Sequence, residues 1–323
     1  AAPVPTPADA DGGQVPAAPG RLGDMDEALR PLEPGERGCV VIGQKLFVLD
    51  STDTVLAPGM VVVRAGRIAA VGAPRPAPEG FDVLEWREGW ITPGLIDIHS
   101  HVQTGGWGDI NDRGRPINAE LRVAPTVRPG NTEIQRACAA GVTTLFGIPG
   151  SGTSMSGFGV LYKTKHDCTY EETIYADPGG LKVAQDSNPQ RGAGDFGASR
   201  AGLGWLLRDA NDRARAALEQ DRFELALENL KKIHSKELPV LIHTAGSDGV
   251  ANTARMWRAT YDTRSVLSHG SFDGWKSAPF VAALDMPVNN GPRIIDYSSS
   301  REGRLVGMAA EYVDAGAPLI SLN

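Results

Sequence analysis

The sequence predicts an α/β chain: a (β/α)8 barrel of the TIM type preceded by a small β-sandwich module. Two observations carry this. From residue 93 onward short apolar runs alternate with helical stretches, the pattern of βα units and a parallel sheet. Eight such runs occur, the strand number of a closed barrel. The implied organisation is a lead-in over 1–37, a β module over 38–92 and a barrel over 93–323.

The first segment, "AAPVPTPADADGGQVPAAPG", is rich in Ala and Pro. Such composition often follows signal-peptide cleavage, so an extended lead-in and an exported, periplasmic or secreted protein are expected. "CVVIGQKLFVLD", "MVVVRAGRIAAVG" and "DVLEWREGWITP" then read as strands separated by Gly and Pro, with a hairpin at "RAGRIAAVG".

The barrel runs follow in order. "GLIDIHSH" is the first. "NTEIQRACAAG" is a helix with Asn131 as N-cap and Gly141 past its end. "VTTLFGI", "GFGVLYKT" and "GGLKVAQ" are the second to fourth runs. A helical zone over about 199–235 places Phe223, Leu227, Leu230 and Ile233 at helical spacing. "PVLIHT", "RSVLSHG" and "MPVNNG" are the fifth to seventh, a helix is expected near 301–316, and "APLISLN" is the eighth.

Composition narrows the function. The chain has 323 residues, a net charge of −7 and no basic stretch to track a phosphate backbone, which argues against nucleic acid. No run approaches the ~18 apolar residues of a membrane span. Cys39, Cys138 and Cys168 allow at most one internal disulfide, with Cys138 and Cys168 as the candidates; three free thiols serve equally well.

The histidines carry the chemistry. Residues i and i+2 of a strand share a face, so His99 and His101 project together beside Asp97 at the end of the first run. His243 ends the fifth run and His269 the sixth. Four of the six histidines therefore fall at the C-terminal ends of three strands, where such barrels do chemistry, and converging neutral imidazoles suit a metal. His166 and His234 read as a loop residue and a helix C-terminal residue. Lys182 sits inside an apolar strand, where burial favours the neutral amine. That amine can take up carbon dioxide to form a carbamate able to bridge two metal ions; alternatively its stem lies in the core and its head reaches solvent.

"PGLIDIHSH" after a β module, a strand-borne Lys, then "LIHT" and "LSHG" in order, resembles the amidohydrolase superfamily, and within it the imidazolonepropionase-like and prolidase-like members. "GLKVAQDSNPQR" and "ASRAGLGWLLRDA" are similar to segments of those proteins, and the resemblance covers 38–323. It implies that His99 and His101 hold an inner metal, His243 and His269 an outer one, and Lys182, as its carbamate, bridges them. One or two divalent ions, usually zinc, would supply a hydroxide that attacks a carbonyl. The family pattern also calls for an Asp at the end of the eighth strand, where this sequence reads "ISLN". Asp97 and Asp285 stand in the wrong places to replace it. The expectation is a barrel lacking its C-terminal completion, with that Asp supplied by a companion chain released by autocleavage at Asn323.

The implied activity is hydrolysis of an amide or cyclic amide in a small or short peptide-like substrate, such as an N-acyl amino acid, a dipeptide or an imide. A deaminase or lactonase on the same scaffold, or a non-catalytic binding protein that has lost the last Asp, are the other readings, and a homo-oligomer is compatible with all of them. Arg191 and Arg200 after the fourth run, and Arg293 and Tyr297 after the seventh, are candidates for holding a substrate carboxylate, although Asp186 and Asp195 could instead pair with the first two. Ser151, Thr153, Ser154 and Ser156 lack the Lys of a P-loop and read as a flexible loop at the barrel mouth.

Overall fold

The computed structural model describes residues 23–106, 108–190, 192, 196–297, 303 and 305–322. It divides into two compact units, 1–94 and 95–323.

In the first unit α1 (Met25–Ala28) precedes strands β1 (Gly38–Phe47), β2 (Val55–Leu56), β3 (Gly59–Arg64), β4 (Arg67–Gly72) and β5 (Asp82–Ile91). The β3–β4 hairpin turns on Ala65 and Gly66, both at positive φ, as a two-residue turn matched to strand twist requires. β1 pairs antiparallel with β3 and parallel with β5. Among the described residues these strands form one five-stranded sheet, so the two facing sheets expected of a sandwich are not made by this stretch alone. The lead-in is not extended throughout: Asp24 caps α1, and Met25, Ala28, Leu29 and Leu32 pack on Val40, Met60 and Val62 of the sheet. The guanidinium of Arg64, nearly buried, fastens this segment by donating to the carbonyls of Ala28 (3.0 Å) and Arg30 (2.7 Å) and to the Glu36 carboxylate (2.5 Å).

All eight apolar runs of the second unit are strands: β6 (Leu95–Ser100), β7 (Val142–Gly147), β8 (Met155–Lys163), β9 (Ile174–Ala184), β10 (Val240–Ala245), β11 (Ser265–Ser271), β12 (Val288–Asn290) and, after the β13–β14 ribbon (Ile295–Asp296, Val306–Gly307), β15 (Ile320–Leu322). They lie side by side in the order β6 to β12 and then β15. The sheet curls as a barrel does, because His99 of β6 reaches Ser268 of β11, five places along it.

The all-parallel expectation needs one correction. β8 runs antiparallel to both β7 and β9. Only the short Ile148–Ser154 loop separates β7 from β8, and a parallel crossover needs a dozen or more residues. The remaining neighbours, β6–β7, β9–β10, β10–β11, β11–β12 and β12–β15, pair in parallel.

Helices cover the outside of this sheet. α2 (Thr132–Ala139) is capped by the Asn131 side chain, which accepts from the backbone N–H groups of Glu133 (2.9 Å) and Ile134 (3.1 Å). The short α3 (Tyr170–Thr173) leads into β9. α4 (Arg200–Glu219) buries Leu203, Leu207, Ala210, Ala214 and Ala217, a stripe at helical spacing, and α5 (Glu228–His234) buries Leu230 and Ile233. Phe223, expected on the same helical face, lies between the two helices and is exposed, because the chain turns there. α6 (Ser247–Ala254), α7 (Ala278–Ala283) and α8 (Met308–Asp314) follow, the last standing where a helix over 301–316 was expected. The three cysteines are free thiols. No helix among the described residues is long and apolar enough to cross a membrane.

Candidate metal centre

Parallel pairing keeps register partners on the same face of a sheet. His243 of β10, Ser268 of β11, Asn289 of β12 and Ser321 of β15 form one such row. His99 meets this row from β6, its Nδ1 lying 2.7 Å from Ser268 Oγ. The imidazoles gather: His99 lies 5.2 Å from His101 and 4.5 Å from His269, and His243 lies 4.5 Å from His269, between ring centroids. His99, His101, His243 and His269 line one cavity of about 600 Å3.

The second nitrogens of His101 and His269 are held from behind. His101 Nδ1–H donates to the Ile148 carbonyl (3.0 Å), which also accepts from Gln103 Nε2 (3.0 Å). His269 Nδ1–H donates to the Gly291 carbonyl (2.5 Å). A carbonyl only accepts, so both rings carry their proton on Nδ1 and keep the Nε2 lone pair for the cavity, as in metal-ligating histidines. Among the described residues His243 Nδ1 is buried with no hydrogen-bond partner, an orphan that metal ligation would satisfy. Asp97 works behind the site, its carboxylate accepting the His99 backbone N–H at 2.8 Å.

Burial dominates the electrostatics. It pushes His99 well below the usual imidazole range, His101 down to about 4 and His243 to about 2, and it lowers His269, with the Lys182 charge adding to each. Lys182 is fully buried, so its head does not reach solvent, and burial alone lowers its pKa to about 7. Its Nζ donates to Ser151 Oγ at 2.8 Å. Four neutral imidazoles and one amine that loses its proton near neutrality are lone-pair donors of the kind zinc-class cations take. Among the described residues no three His, Cys, Asp or Glu side chains are already closed around one ion position. The residues supply a fitting donor set by type.

His269 adopts φ +71°, followed by Gly270 at +59°. A non-glycine residue there is strained, and such residues cluster at functional sites. Asn290, fully buried on β12, holds the conformation by donating its Nδ2–H to the His269 carbonyl at 2.6 Å.

The other expected residues divide. Ser151 lines the cavity, but Thr153 and Ser154 are fully buried and Thr153 Oγ1 bonds Ser156 Oγ at 3.1 Å, so this segment is packed structure and not a flexible loop. Arg200 stands outside the histidine cavity, paired with Asp248 (2.5 Å) and Asp186 (3.7 Å). Arg293 follows Pro292, a lining residue, yet turns to the Phe272 ring (4.9 Å) and to Asp296 (3.8 Å). Tyr297 is exposed and not part of the lining. Arg191 and Asn323 lie outside the described residues. His166 is exposed, as expected of a loop residue. His234 packs on Tyr261, and burial holds its pKa near 4, so it does not supply the cation a helix C-terminus favours.

Three lining residues with polar side chains escaped the sequence reading: Asn111, Arg113 and Asn188. Asn111 anchors the Gly150–Gly152 turn, donating to the Gly150 carbonyl (2.9 Å) and accepting from the Gly152 N–H (3.3 Å). The available signal was position: "DINDRGR" follows the first barrel strand, where the loops of such barrels build the site.

No family model matches the chain. An imidazolonepropionase of Caulobacter sp. is 39% identical over 93 residues, covering 28% of this chain and 21% of that protein. An imidazolonepropionase of Methylobacterium nodulans is 27% identical over 222 residues, covering 63% of this chain and 51% of that protein. An amidohydrolase of Thermotoga maritima superposes with a TM-score of 0.76 over 88% of this chain and 78% of its own, at 22% identity. The chain is similar in sequence to these amidohydrolase-superfamily relatives over part of its length, and it shares its fold with the Thermotoga maritima amidohydrolase. It spans about half or less of the length of these curated relatives. The candidate metal ligands that the resemblance implies stand on or directly after β6, β9, β10 and β11.

Proposed function

We propose that this protein is a metal-dependent hydrolase of amide or cyclic amide bonds in a small, anionic substrate. The observation that carries the reading is the gathering of four neutral imidazoles and one buried lysine at the C-terminal ends of four barrel strands. His99, His101, His243 and His269 would hold one or two divalent ions, with Lys182, free or as its carbamate, between the two pairs. A bound divalent cation supplies Lewis acidity and brings the pKa of a bound water to about 7.

The protein's own groups do the rest. Ile148 O and Gly291 O fix the tautomers of His101 and His269. Ser151 holds the Lys182 amine within reach of the cavity. Arg113 lines the same cavity and would bind a substrate carboxylate. The family pattern adds a proton-carrying Asp after the eighth barrel strand.

The deciding experiment measures metal content by plasma mass spectrometry and then hydrolysis of N-acyl amino acids, dipeptides and cyclic imides. The expected result is stoichiometric divalent metal, lost with turnover in His99→Asn and His243→Asn. A purified protein that takes up no divalent metal would overturn the reading. Bound metal without turnover of any amide, ester or amidine would turn it to a binding protein.

A further inference from the structure

A second cavity, of about 440 Å3, shares no lining residue with the histidine cavity. α4 and α6 form its walls. On α4, Arg200, Gly204 and Arg208 recur every four residues, one stripe of the helix. On the other wall stand Asp248, Asn252 and Arg255 at spacings of four and three. A Cβ at Gly204 would meet nothing within 4 Å, so the space between the two α4 arginines is open.

The charges do not balance within this cavity. Arg200 is matched by Asp248 (2.5 Å) and Asp186 (3.7 Å). Arg255 is held by neutral groups, the Asn252 amide oxygen (3.4 Å) and the Phe280 ring (5.5 Å). Among the described residues neither Arg255 nor Arg208 has a carboxylate partner. Arg255 also opens a π-helical turn, Arg255–Thr260, at the end of α6. Such turns are rare and recur at functional sites. Two guanidiniums that line one cavity, whose carboxylates Asp186 and Asp248 are taken by Arg200, suit an oxyanion, which each can hold through two parallel N–H groups.

The geometry points to a second binding site, between α4 and α6, for the oxyanion of a small molecule, a carboxylate or a phosphate, held by Arg208 and Arg255. Gln185 and Asp186 line this cavity and follow directly on β9, the strand of Lys182, so an occupant would touch the loop that leaves the histidine site.

Isothermal titration with inorganic phosphate, and separately with acetate, at constant ionic strength tests this on the full chain. Saturable one-site binding of at least one anion is expected, and the anion preferred identifies the group. Affinity should fall about tenfold for each arginine in Arg208→Gln and Arg255→Gln. It should be unchanged in His243→Asn and partly kept in Arg208→Lys. Arg208 is exposed, so its variant carries the test should Arg255→Gln fail to fold. Absence of saturable binding, equal binding in Arg208→Gln, or loss of binding in His243→Asn would overturn the proposal, the last by moving the anion to the histidine cavity.

Discussion

Lys182 Nζ and Ser151 Oγ stand 2.8 Å apart, the only hydrogen bond that the buried amine makes among the described residues. No carboxylate among the described residues shares its charge, and burial alone brings its pKa to about 7. An amine kept this way contributes little to stability, so its use lies elsewhere. Lys182→Met, similar in volume, should change stability by about 1 kcal/mol or less, since one hydrogen bond and one buried polar group disappear together. Metal stoichiometry should fall in the same protein. Urea denaturation and metal analysis check the two halves, and a large loss of stability with full metal content would contradict both.

Asn290 is expected to matter to the same centre through the backbone. Its amide holds the His269 carbonyl at 2.6 Å while His269 sits at φ +71°. Asn290→Ala leaves that carbonyl without its donor and should destabilise the fold by about 1–3 kcal/mol. It should also weaken divalent-metal affinity, because the strained peptide aims the imidazole. Chemical denaturation and metal titration by calorimetry read the two effects, and unchanged metal affinity would show that the strain does not aim the ring.

Arg113 should act on substrate binding. Arg113→Gln should raise KM for anionic substrates about tenfold or more, with a smaller change in kcat, the signature of a group that binds ground state and transition state alike. Steady-state kinetics with a carboxylate substrate and its neutral amide analogue check this. Equal KM changes for both would remove the assignment.

Glu36 gives the N-terminal unit a pH dependence. Its hydrogen bonds to Arg64 hold its carboxyl down to about 2 from a reference of 4.5. The folded state then binds the proton more weakly than the unfolded state, so the stabilisation is complete above the reference value and disappears as pH falls through about 2. Acid unfolding followed by circular dichroism should therefore slope between these limits, and Glu36→Gln should flatten that slope. An identical slope in the variant would place the acid sensitivity elsewhere.

Much of the site was legible in the sequence because strands make it so. A side chain two residues from another on a strand shares its face, and the C-terminal end of a barrel strand is the mouth, so His99, His101, His243 and His269 could be grouped from position alone. Lys182 was visible because an amine in an apolar run has few innocent explanations. The caps at Asn131 and Gly141 and the turn at Ala65–Gly66 were visible for the same local reasons.

What required the tertiary structure is long-range. The antiparallel course of β8 depends on which strands become neighbours, although the short loop before it already excluded a crossover. Arg200 has the composition of a substrate-binding arginine, and only the approach of α6 shows that Asp248 and Asp186 hold it outside the histidine cavity. Arg113 and Asn111 reach that cavity because a βα loop folds over the barrel mouth. By itself the sequence determined the strands, the cap residues and the set of nitrogen donors, since these follow from periodicity and residue chemistry over a few positions. Tertiary structure decided strand direction, the partner of each charged group and which side chains share a cavity, since those depend on packing between segments far apart in the chain.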